Sequence, residues 1–240
     1  MNNCLQSDVF NIRLKKKGKV YMMKKIVVFG GVGTGMTIAS IIEHDPNAEL
    51  MGFLNDAEEK GTMVGEFKKF PVVGKFSDVT ELLKDPDVYF TFAQTAMQKG
   101  KQRLELIDSM SIPSERFYSA IHPQAIVPKG FCRLGNGVVL YANAQVGVDA
   151  VMEDNSMCFA NTYLGHNSVL ERFAHLTAGS VVGAHVHVGK FVHIGLNALV
   201  KEHVTIGDYS LIGAGAVVLK DVPANCIVVG NPAKVLRYIE

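Results

Sequence analysis

The sequence predicts two unlike units in series: a small parallel α/β domain over residues 23–118, then a parallel β-helix over 119–240. Three observations carry this. Apolar residues recur every six positions through the second half of the chain. Near the start, a cluster of glycines separates a β-branched run from a helix-spaced one. Between these regions, strand-like apolar runs alternate with helix-like segments, the pattern of a parallel layer covered by helices.

The chain has 240 residues, of which 48 % are hydrophobic and 20 % charged. Its apolar runs are only a few residues long, far short of the roughly 20 that span a bilayer, so membrane insertion is not expected. Residues 1–22 hold Arg13, Lys15, Lys16, Lys17 and Lys19 against a single acid, Asp8, and are read as a disordered or non-native leader ending at Met22 and Met23. Without them the body has 19 cationic and 22 acidic side chains, a net −3. Such a balance speaks against nucleic acid as a partner, because phosphate neutralisation needs a clustered cationic surface. Cys4, Cys132, Cys158 and Cys226 show no paired spacing, which fits a reducing, cytoplasmic setting.

Residues 24–29 (KKIVVF) read as a strand, and Met36, Ile38, Ile41 and Ile42 fall at helical spacing after it. Between them lie Gly30, Gly31, Gly33 and Gly35. A glycine turn entering a helix brings backbone N–H groups against phosphate. The spacing is not G-x-G-x-x-G, so a nicotinamide-dependent oxidoreductase is not expected. A second strand, ELMGFL, ends at Asn55 and Asp56, an acidic position placed to hold a ribose hydroxyl. Further strands are expected at 72–73 and 88–92, and helices at 78–84 and 98–110.

From Leu134 to Val218 every sixth residue is apolar, and four positions after each stands a small or β-branched residue, as in LGNGVV and IGLNAL. A helix repeats near 3.6 and a strand near 2, so a strict six fits neither alone; it fits coils of short strands and turns. Three hexads per coil stack residues 18 apart at about 4.8 Å, the spacing of adjacent strands. His166, His175, His185, His187, His193 and His203 then fall on outward positions, with 175 stacked on 193 and 185 on 203. Zinc would need three such imidazoles converging. No thiolate cluster accompanies them.

The hexads close in IGAGAVVLKDVPANCIVVGNPAKVLR, and Gly230, Asn231, Pro232, Ala233 and Lys234 are the most specific part of that ending. The array resembles the left-handed parallel β-helix of hexapeptide-repeat acyltransferases. With the Rossmann-like half before it, the linking Ile121-His122-Pro123, and His166 followed nine residues later by His175, residues 24–237 resemble the PglD/NeuD-type sugar acyltransferases. The resemblance implies acetyl-CoA as co-substrate, no metal, and a homotrimer with active sites between subunits. It implies N-acetylation of a nucleotide-linked 4-amino-4,6-dideoxy sugar; the alternatives are O-acetylation of a sialic-acid-type sugar and a non-catalytic trimeric scaffold that binds nucleotide-sugar.

Carried over residue by residue, the family's pattern assigns nucleotide-sugar binding to Gly30, Gly31, Gly33, Thr34, Gly35, Asn55 and Asp56. Many relatives have His where this chain has Thr34, and two acids where it has Asn55 and Asp56. His166 matches the general base, a role that suits an imidazole titrating near neutrality. His175 matches the second histidine, expected to contact the acyl group or the acceptor. Asn167, Asp149 and Asn161 are candidates to orient the base. The Ala184 amide, one coil on, is expected to face the thioester carbonyl. Gly183, Gly195, Gly213 and Ala214 are small enough for pantetheine to lie along the coils, and Lys234 is placed to meet a coenzyme phosphate.

Overall fold

The computed structural model describes residues 14–16, 19–21, 23–31, 33–93 and 100–239. In the leader, β1 (Leu14–Lys16) pairs antiparallel with β2 (Lys19–Tyr21). The reading of the rest of that segment lies outside the described residues.

The run of β-branched residues after Met23 forms β3 (Lys24–Phe29), whose last four residues are fully buried. It lies mid-sheet, between β4 (Ala48–Leu54) and, on its other side, β7 (Val88–Phe92). Outside β4 come β6 (Phe70–Gly74), also parallel, and the short antiparallel β5 (Met63–Val64). Helix α1 (Thr34–Ile42) covers one face of the sheet. The other face is covered by α2 (Val79–Leu82), entered through a 3₁₀ turn at Phe76–Asp78, and by α3 (Gly100–Ser109). Strand order β6-β4-β3-β7 places a topological switch point at β3, and in open α/β sheets ligands bind outside the carboxyl ends of the strands at such a point.

After β8 (Ala120–Ile121), fifteen two-residue strands recur every six residues from Arg133–Leu134 to Val217–Val218. Residues 18 apart pair in parallel, giving three sheets and a three-faced coil. The first face carries Val139, Met157, His175, His193 and Leu211; the second Gln145, Tyr163, Val181, Leu199 and Val217; the third Arg133, Val151, Val169, His187 and Thr205. The second residue of each strand points inward: Leu140 through Val218 are buried, and Leu134 packs against them at the open end. Buried serine and threonine hydroxyls at the corners are satisfied, as where Ser168 Oγ donates to the Gly183 carbonyl at 2.9 Å and accepts from the Val186 N–H at 3.0 Å. Gly230 turns the last strands back as an antiparallel hairpin, Cys226–Val229 with Lys234–Tyr238.

Most corner residues adopt the left-handed conformation that asparagine tolerates best, including Asn143, Asn161, Asn167 and Asn197. On the third-to-first corner the same conformation is taken by Phe173, Phe191 and Tyr209. There the strain is offset by burial, for these rings pack against Phe92, Leu104 and Ile107 of the α/β domain. A second contact joins α1 to Val139, Tyr141 and Met157 of the first face. The α/β domain thus straddles the first face and one of its corners.

Candidate active site

The expected site residues fall mainly in two regions. At the carboxyl ends of the sheet, Gly30 (φ 115°) and Gly33 (φ 84°) take conformations that favour glycine, and Gly33 caps α1 without any side-chain cap. The first-turn N–H groups of α1 are therefore available to an anion, beginning at Thr34. Gly31 lies against the Asn55 amide, where a Cβ would come within 2.8 Å of Nδ2, and Gly35 packs on Phe53. Asn55 Oδ1 accepts from the Ala57 N–H and Asp56 Oδ1 from the Phe76 N–H, both at 2.9 Å. Both side chains thereby order the loops around a cavity of about 340 Å³ between Asp56, Phe76, Phe92, Arg103 and Leu106, floored by Phe191 of the β-helix.

The second region is the corner between the second and third faces. His166 is exposed there, and its Nδ1 lies 2.9 Å from Asn167 Oδ1. A carbonyl oxygen only accepts, so Nδ1 carries the proton and Nε2 presents a bare lone pair. Of the three candidate orienters, Asn167 is the one in contact, and its left-handed backbone (φ 58°) aims it back at the ring. A hollow of about 420 Å³ adjoins His166, lined by Gln145, Gly147, Val148 and Tyr163. The histidine column continues along this corner: His185 meets His166 edge-on at 5.2 Å and stacks on His203 at 4.8 Å.

Ala184 follows one coil on. Its N–H donates to no atom among the described residues, whereas the neighbouring His185 N–H bonds the His166 carbonyl at 3.0 Å. The coil spacing brings Ala184 N so close to Gly165 that a Cβ there would sit 2.7 Å from it. Gly183, Gly195 and Gly213 have the same explanation: a Cβ on Gly195 would come within 2.5 Å of the Ile212 carbonyl. Stacking of the coils alone accounts for these glycines.

His175 is not on this corner. It lies on the first face, and although its position points out of the coil it is only 4 % exposed. The expectation of a surface residue fails because the α/β domain covers this face on both sides of it. Its Nε2 lies 2.6 Å from His193 Nδ1, and its Nδ1 faces the Phe173 carbonyl at 3.5 Å. Burial, with the His193 ring adding to it, pushes the pKa of His175 down to about 3; burial alone takes His193 to about 4. Both rings are neutral at physiological pH. Gly195 follows on the same face, Gly213 and Ala214 lie a coil further on, and Lys234 is exposed in the terminal hairpin. Among the described residues no group of three or more His, Cys, Asp or Glu is placed to hold a metal ion.

No protein-family model and no curated protein sequence matches this chain. Solved structures do. The acetyltransferase domain of PglB from Neisseria gonorrhoeae FA1090 superposes with a TM-score of 0.77 at 27 % identity, covering 89 % of this chain and 100 % of that one. The chain is an acyltransferase that shares the hexapeptide-repeat fold of this acetyltransferase domain. Its β-helix is left-handed, preceded by the α/β domain. The same PglB domain has also been solved in complex with acetyl coenzyme A (26 % identity, TM-score 0.76, 89 % and 100 % covered). A mutant of perosamine N-acetyltransferase from Caulobacter crescentus, in complex with CoA and GDP-perosamine, shares the fold at 24 % identity (TM-score 0.77, 89 % and 97 % covered). Within the acyltransferase described here, sequence reasoning assigned no role to His193 or Tyr141. Tyr141 is 6 % exposed, stacks on Phe159 at 4.6 Å, and has a hydroxyl without a hydrogen-bond partner among the described residues. The 18-residue register does place His193 against His175, but it carries no information on which ring nitrogen is left over.

Proposed function

We propose that this acyltransferase moves an acetyl group from acetyl-CoA to the amine of a nucleotide-linked 4-amino-4,6-dideoxy sugar, with His166 as general base. The observation that carries the reading is the bare Nε2 of His166, its tautomer set by Asn167, with the N–H of Ala184 in the adjacent coil unpaired among the described residues. The amine, arriving unprotonated, attacks the thioester carbonyl carbon. The N–C bond forms as Nε2 takes the amine proton, and the oxygen that gains charge is met by the Ala184 N–H. When the C–S bond breaks, the coenzyme A thiolate leaves and is protonated. The glycine turn with Asn55 and Asp56 binds the nucleotide end of the acceptor. Acetyl-CoA bound to the PglB domain and GDP-perosamine bound to the Caulobacter enzyme support this pairing of donor and acceptor.

The two histidines matched by the family lie on different sides of one coil. This supports a homotrimer in which the first face of one chain meets the His166 corner of the next. Coenzyme A thiol release from acetyl-CoA, measured against UDP-, dTDP- and GDP-linked amino sugars and sialic acid, tests the reading. Release with an amino sugar supports N-acetylation; release with sialic acid alone moves the assignment to O-acetylation. Silence together with no acetyl-CoA binding leaves a scaffold.

A further inference from the structure

The pair on the first face has one nitrogen to spare, and it is not on His175. The Phe173 carbonyl can only accept, so the His175 Nδ1 that faces it carries a proton. A neutral imidazole has one N–H, which leaves His175 Nε2 as an acceptor, filled by the Nδ1–H of His193 at 2.6 Å. The remaining nitrogen, Nε2 of the partly exposed His193, is bare and meets no partner among the described residues. The rings cross at 80° with centroids 4.6 Å apart, an arrangement that lets one lone pair point along the other's N–H.

We infer that His193, not His175, presents the ligand-facing nitrogen on this face, and that His175 is the buried positioning residue that fixes its tautomer. This rests on the acyl-transfer reading and deepens it. A lone pair cannot bind the thioester oxygen, which is itself an acceptor. The ligand group must be an N–H or O–H donor, and two sources supply one: the amine of the acceptor sugar and the amide N–H groups of pantetheine.

Long-range proton–nitrogen NMR of the imidazoles in the full chain tests this, with the two rings assigned by His175→Phe and His193→Phe. The expected spectrum has both histidines protonated at Nδ1 and bare at Nε2. Addition of acetyl-CoA alone, or of GDP-perosamine alone, then shifts the His193 Nε2 signal and identifies the donor. A proton on His175 Nε2, or a His193 Nε2 signal that neither ligand moves while both bind, overturns the inference. In the thiol-release assay His193→Phe should lower kcat/KM roughly tenfold or more, the scale of one lost hydrogen bond to a ligand. His193→Gln, whose amide can accept, should recover part of that loss. Failure of the acyl-transfer reading is a separate result: no thiol release by the wild type with any acceptor. Release that His193→Phe leaves unchanged sinks only the inference.

Discussion

His166 stands on the corner of the coil that lies opposite the face carrying His175. Within one chain the β-helix core separates them, so no substrate between the two could touch both. The relationship makes the assembly testable by complementation. Chains carrying His166→Ala and chains carrying His175→Phe with His193→Phe should each be nearly inactive as homomers. Reassembled together at equal ratio, they should regain roughly a quarter of wild-type thiol release, the fraction of interfaces in a random closed ring that pair two intact halves. Mixed assemblies as inactive as their parents would place the site within a single chain.

Removal of the proposed base alone should act on the chemical step. His166→Ala is expected to lower turnover by about 10² to 10⁴ while leaving nucleotide-sugar affinity nearly unchanged, as for loss of a general base. Asn167→Ala, which frees the tautomer but keeps the imidazole, should fall between the variant and the wild type. Steady-state kinetics of thiol release separate the three, and equal rates for His166→Ala and wild type would remove His166 from the mechanism.

How much of this was legible beforehand differs between the halves. The hexads specified the β-helix outright, because a wrong phase would have put Leu164 or Ile194 in water and Tyr163 or His193 in the core. Four of the five α/β strands were placed to within a few residues, and the two-residue β5 (Met63–Val64) was not expected. What the repeat could not show is what covers its outer faces. His175 and Leu211 occupy the same phase, yet one is buried and the other partly exposed, a difference set by how the α/β domain docks through Phe92 and Ile38. Asn55 and Asp56 were identifiable as loop polar residues after a strand. The bond from the Ala57 N–H to Asn55 is a local turn, but the bond from the Phe76 N–H to Asp56 depends on where the chain returns from β6, about 20 residues later, which no local pattern encodes.

Asp56 has an observed structural contact and a proposed binding role, which one substitution pair separates. Asp56→Asn keeps an oxygen for the Phe76 N–H and removes the charge, whereas Asp56→Ala removes both. Both should raise KM for the nucleotide-sugar with a smaller effect on kcat. Only Asp56→Ala should also lower the melting temperature, since it leaves the Phe76 N–H at the entry to the 3₁₀ turn without its partner. Equal KM values for Asp56→Asn and wild type would show that the carboxylate charge has no part in binding.

Gly165 tests the packing that holds Ala184 in place. A methyl group there would fall 2.7 Å from Ala184 N and closer still to the Gly183 carbonyl, so the coils must part. Gly165→Ala is expected to destabilise by about 1–3 kcal/mol, the usual cost of overpacking. It should also lower kcat more than His185→Ala, which alters only an exposed ring on the same corner. Denaturant unfolding and thiol release measure the two effects, and a Gly165→Ala protein as stable and active as wild type would mean that the coil spacing yields easily at this point.

The buried histidine pair predicts a direction for acid stability. Both folded-state pKa values lie below the ordinary 6.5, at about 3 for His175 and about 4 for His193. Between those values and 6.5 the unfolded chain binds protons that the folded chain does not, so stability rises with pH across that window. The contribution is fully present above pH 6.5 and is lost as pH falls toward 4 for His193 and toward 3 for His175. Each imidazole adds a slope of about 1.4 kcal/mol per pH unit while only its unfolded form is charged. Melting temperature should therefore fall on acidification from pH 7 to 4.5, and less steeply in the double variant His175→Phe with His193→Phe, which has neither group to titrate. Carboxylates that titrate near 4 contribute equally to both proteins, so the difference between the two curves isolates the pair. Parallel curves above pH 4.5 would mean that the two imidazoles accept protons in the folded protein as readily as in the unfolded chain.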